Sequence, residues 1–158
     1  MNVIKLFAIV FCIFLLFSCD DISPGVDEET IHLMPLSPYK YEFSNQYGKN
    51  RIDYFFTDND YQDNAGFREK LYKSVKKVKN EVDFQYNLYS IYVYKKTTRL
   101  NENFLGDNND LRGVYNNDLI SYSRWNQGNI DIFYLIEDGK VVFDMIKNDQ
   151  VSPSWEFD

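Results

Sequence analysis

Beyond Cys19 the chain contains no cysteine, and the other one, Cys12, lies inside an apolar N-terminal run. A domain built from the remainder has no disulfide, no thiolate nucleophile and no cysteine metal ligand. Its stability has to come from burying apolar side chains. Much of that material is aromatic: the sequence holds 13 Tyr, 13 Phe and 2 Trp, and four of the phenylalanines precede Cys19. At 158 residues the chain suits one domain.

The N-terminus begins Met-Asn-Val-Ile-Lys, runs without a polar residue from Leu6 to Phe17, and reaches Ser18-Cys19. Twelve apolar residues fit the hydrophobic region of a signal peptide. As a helix they are too short for a hydrocarbon core of ~30 Å. Leu16-Phe17-Ser18-Cys19 resembles the lipobox of bacterial lipoproteins, with an aliphatic residue three places before the cysteine and a small one directly before it. Phe17 departs from the small or aliphatic residue usual there. The resemblance covers residues 1–19 alone. It implies cleavage before Cys19, a diacylglyceryl group on its sulfur and, in many members, an acylated amine. Two or more acyl chains anchor stably where one does not. Asp20 and Asp21 fit two patterns in such proteins: retention at the inner membrane, with the domain on the periplasmic side, or export to the cell surface. Either location is extracytoplasmic.

Loss of Lys5 with the leader leaves 16 of the 17 basic residues against 24 acidic ones, a net charge of −8. That balance argues against nucleic acid, whose binding needs Lys and Arg on phosphates. It also gives no overall attraction to an anionic membrane.

The chain divides into a signal peptide (1–18), a lipidated cysteine with an acidic tether (19–38) and one domain (39–158). The tether carries Pro24, Pro35 and Pro38 with Asp20, Asp21, Asp27, Glu28 and Glu29, and reads as an extended spacer. Ile31 to Leu36 is apolar enough to dock on the domain. His32, the only histidine, has the context of a solvated residue.

The domain is expected to be α+β: a mainly antiparallel sheet of about five to six strands, one amphipathic helix and a C-terminal three-stranded meander. Tyr39–Phe43 and Arg51–Thr57 alternate as strands. A helix is predicted over 64–79, capped by Asp63 or Asn64, with Phe67, Leu71, Ser74, Val75 and Val78 on one stripe. Phe84–Lys95 is apolar on both faces, as a central strand is. Leu100–Asn117 reads as a long polar loop. The meander is predicted over Asp118–Trp125, Asn129–Ile136 and Lys140–Ile146, with Asp138-Gly139 as a two-residue turn. Val151–Asp158 reads as a tail.

No catalytic set stands out. Asp58, Asp60, Gln62 and Glu69 approach calcium-loop spacing, but Asp63 occupies the place where glycine makes the turn. Asp107, Asn109 and Asp110 form a second acidic loop without a full ligand pattern. Ser90, Ser121 and Ser123 lack a histidine base. No metal or cofactor is expected. The residues singled out for partner binding are Lys70, Lys73 and Lys77, a basic strip on an acidic protein, and Phe133 and Leu135. The last two oppose the Ile130, Ile132, Tyr134 and Ile136 side of their strand, and the single helix is expected to leave their face to the tether and loop or to a partner. The expectation is a non-enzymatic, lipid-anchored domain that binds a protein of the cell envelope, in its concrete form an immunity or inhibitor protein against an envelope-directed toxin. The alternatives are a structural accessory of envelope assembly and a carbohydrate-binding domain.

Overall fold

The computed structural model describes residues 29–59, 61–82, 85–113 and 115–157. Among the described residues seven strands form one sheet: β1 (Met34–Asn45), β2 (Gly48–Thr57), β3 (Leu88–Lys95), β4 (Leu119–Asn126), β5 (Asn129–Glu137), β6 (Lys140–Asp144) and β7 (Asp149–Glu156). They neighbour one another in chain order. Every pair is antiparallel except β2 and β3, which run parallel. Parallel strands need a crossover, and helix α1 (Ala65–Glu81) supplies it. The class is α+β as the periodicities imply, with more strands than expected.

α1 forms where its stripe predicts. Asn64, rather than Asp63, is the cap: its side chain accepts the Phe67 amide at 2.9 Å. Phe67, Leu71, Ser74 and Val75 are buried. They pack on one face of the sheet with Phe55, Tyr89, Ile91, Val93, Trp125, Phe133, Leu135 and Phe143.

The opposite face is covered by the segment between β3 and β4. In its described residues the expected loop contains a short helix α2 (Asn108–Gly113) and a 3-10 turn at Asn116–Asp118. Leu100, Phe104 and Leu111 are buried over Tyr54, Phe56, Tyr94, Ile136 and Val141. Burying such side chains stabilises by about 1.5–3 kcal/mol each, enough to hold a segment of otherwise polar sequence.

Three boundaries move. β1 starts at Met34, and Ile31 and Leu36 are 4% and 2% exposed, so the domain takes in the second half of the expected tether. β3 starts at Leu88; Phe84 lies outside the described residues, and Tyr86 is buried in the connection. The expected tail is the edge strand β7, whose pairing with β6 runs from Asp144 opposite Asp149 to Lys140 opposite Glu156. Pro153 lies within it, and an edge strand tolerates a residue with no amide hydrogen. The hairpin prediction at Asp138-Gly139 holds, with φ of 49° and 74°.

Candidate functional site

The sequence-predicted residues fall into three places. Cys19 lies outside the described residues. Lys70, Lys73 and Lys77 form a column along the solvent side of α1, with Lys70 and Lys77 exposed. Phe133 and Leu135 are both 0% exposed and sit beneath α1. The face assignment is therefore reversed: the helix covers the Phe133 side, and the 96–118 segment covers the Ile132, Tyr134 and Ile136 side. Neither Phe133 nor Leu135 is available to a partner.

The lysine column borders the point where the N-terminal segment meets the domain. The Ile31 amide donates to Ser74 Oγ at 2.7 Å, and Ser74 Oγ donates to the Lys70 carbonyl at 2.8 Å. Lys73 bridges Glu69 at 3.1 Å and Glu29 at 3.4 Å. Hydrogen bonds to those two carboxylates, Glu69 foremost, raise the Lys73 pKa. Among the described residues no carboxylate pairs with Lys70 or Lys77. One signal in the sequence pointed here: Ser74 is a polar residue inside the apolar stripe of α1, and a buried hydroxyl needs partners.

The second feature is the 96–118 segment, a braced cap on the far side of the sheet. Thr97 accepts the Leu100 amide through Oγ1 and donates its own amide to the Leu100 carbonyl, both at 2.9 Å. Asp107 accepts the amides of Asn109 and Asp110 at 2.7 and 3.0 Å, and Asp110 accepts that of Asp107 at 3.0 Å. These carboxylates cap α2. The Phe104 ring meets Tyr115 edge-on at 5.5 Å. Gly106 passes close over the Phe104 ring and the Asp110 carboxylate, where a Cβ would collide. Between Phe104 and Gly106 stands Leu105, 92% exposed. Nothing in the spacing of the cap sequence marks Leu105 as different from the buried leucines around it.

A third feature is polar and mostly buried. Arg51 donates to Asp53 from Nε at 2.9 and 3.0 Å and from Nη2 at 2.7 Å, and the Tyr89 hydroxyl donates to Asp53 at 2.8 Å. Tyr86 donates to Glu42 at 2.6 Å. Burial opposes the Arg51 charge, yet the bonds and charge of Asp53 outweigh it and raise the guanidinium pKa. Burial, then the Asp53 charge, pushes the Tyr89 phenol up. Four contacts converging on one carboxylate tie β2 to β3 as a structural clasp.

The remaining candidates do not assemble. Asp60 lies outside the described residues, Asp58 is exposed, and Glu69 is engaged by Lys73. Among the described residues no three His, Cys, Asp or Glu side chains are grouped to hold a metal. Ser90, Ser121 and Ser123 are buried strand residues, and His32 is exposed. No described helix is long and apolar enough to cross a membrane. Compared with family models, curated proteins and solved structures, the chain matches none.

Proposed function

We propose that the chain is a lipid-anchored extracytoplasmic domain that holds a protein partner of the cell envelope, as an immunity or inhibitor protein holds a toxin. The observation that carries this reading is Leu105. It is an apolar side chain 92% exposed on a segment footed by three buried residues, Leu100, Phe104 and Leu111. Interaction loops held on a stiff scaffold have this form, because little entropy is lost when the partner closes over them. The cap and α1 lie on opposite faces of the sheet, so the side that presents Leu105 is remote from the side where the anchored segment enters.

Anchoring is tested separately. Cys19→Ala should abolish incorporation of labelled fatty acid and release the protein from membranes, with the circular dichroism spectrum of the domain unchanged. Fatty-acid uptake at the wild-type level would refute the anchor. For the partner, a photo-reactive amino acid is placed at position 105 in the producing cell. One discrete protein adduct is expected, absent when the same group stands at Asn80 on α1. No adduct at 105, or the same adducts at both positions, would remove Leu105 from the interface.

A further inference from the structure

We infer that the Lys70, Lys73 and Lys77 column of α1 lies against the anionic phosphate-bearing headgroups of the membrane that holds Cys19. The inference rests on the lipid-anchor reading and adds an orientation to it.

The entry point is fixed by two contacts. Ile31 is tied to Ser74 at 2.7 Å, and Glu29 reaches Lys73 at 3.4 Å. Between Cys19 and Glu29 lie ten peptide links, which span at most about 33–36 Å at full extension. A domain of this size has a radius of gyration of about 14 Å and is on the order of 35 Å across. Even at full extension those ten links reach no farther than about one domain width. The side on which the chain enters is held toward the lipid, and the cap is held away from it.

The helix on that side is basic. Lys70, Lys73, Lys76, Lys77 and Lys79 all lie within one helix of a chain whose formal charge is −7. Charges beyond a Debye length of about 8 Å are screened at physiological salt, so the surface responds to the groups nearest it. Asp20, Asp21, Asp27, Glu28 and Glu29, within ten residues of Cys19 in the chain, weaken the attraction in every orientation of the domain and do not choose a side. Lysines close to the surface are felt. Lys73 is shared with Glu29 and Glu69, and its contribution is discounted for that reason. Lys70 and Lys77, each worth roughly a fivefold bias toward an anionic surface, set the orientation. The stems of such lysines can lie along the helix while the ammonium groups reach the phosphates.

The test uses the lipidated chain in vesicles. A fluorophore is attached through Asn80→Cys on the outer side of α1, or through Asn103→Cys in the cap. Cys12 leaves with the leader and the Cys19 sulfur is blocked by lipid, so the label is specific. A headgroup-level quencher lipid reports distance. In phosphatidylglycerol vesicles the label at 80 should be quenched roughly fivefold or more beyond that at 103. The ratio should fall toward one in phosphatidylcholine vesicles, and with Lys70→Glu and Lys77→Glu together. Equal quenching at the two positions in anionic vesicles would overturn the orientation. So would a ratio indifferent to lipid charge and to the two reversals, which would assign the column to a protein or to solvent. Failure to float with vesicles would overturn the anchor, and the orientation with it. Flotation with equal quenching would overturn the orientation alone.

Discussion

Asp53→Ala is expected to destabilise the fold by about 3–5 kcal/mol, because it leaves a largely buried guanidinium without its counter-charge. The Arg51 and Asp53 side chains are 12% and 8% exposed. Asp53 accepts three contacts from Arg51 and one from Tyr89. Once it is gone, Arg51 keeps the rings of Tyr86 and Tyr89, each with its centroid 5.7 Å away, and a distant Glu42 at 3.8 Å. Those contacts recover part of the loss and do not replace a bidentate carboxylate. The comparison that isolates the effect is the double replacement Arg51→Met with Asp53→Leu. It removes both charges, and it should cost far less than Asp53→Ala alone. Denaturant unfolding of the chain without residues 1–19 measures both. If Asp53→Ala costs under about 1 kcal/mol, water reaches Arg51 and the clasp is a surface ion pair.

Legibility in the sequence followed the strength of the burial pattern. α1 was readable because Phe67, Leu71 and Val75 recur on one stripe, and that stripe is what the sheet buries. β3 was readable as a central strand because Tyr89, Ile91 and Val93 face α1 while Tyr92 and Tyr94 face the cap. β7 was not. Almost all of its side chains are exposed, so it is held by backbone pairing to β6 and leaves no alternation to detect. The reversal at Phe133 and Leu135 has a related cause. Alternation says that a strand has two faces and cannot say which one meets the helix when both are apolar. Leu100, Phe104 and Leu111 anchor the cap at irregular intervals among Asn and Asp, so no period reveals them.

For the candidate site, the lysine column could be drawn on a helical wheel, but its surroundings could not. What gives the column a direction is the Ile31–Ser74 bond across 43 residues of sequence. Non-local contacts of this kind leave no trace in local spacing. Leu105 has the opposite difficulty. Its sequence context matches that of its buried neighbours, and only the folded structure distinguishes it as exposed.

Phe133→Ala should cost about 3–5 kcal/mol, and that result separates a core role for Phe133 from a surface one. The side chain is 0% exposed and belongs to the cluster that α1 closes with Leu71 and Val75. Its register partner on β4 is Ser123, which is small and donates to the Ile91 carbonyl at 3.4 Å. A serine held in that way cannot move to fill the space, so the cavity persists and its term adds to the lost transfer free energy. Above it the Tyr72 ring stacks at 5.7 Å with 24° between planes, while Tyr72 itself is 38% exposed. Tyr72→Ala should cost less, since an exposed ring forfeits mainly the pair term of about 0.5–1.5 kcal/mol. In the double variant the costs should fall short of the sum by that same term, which a double-mutant cycle in denaturant reads directly. A Phe133→Ala protein that keeps its stability within about 1 kcal/mol, yet fails to bind the proposed envelope partner, would restore Phe133 to the interface and overturn the packing of α1 described above.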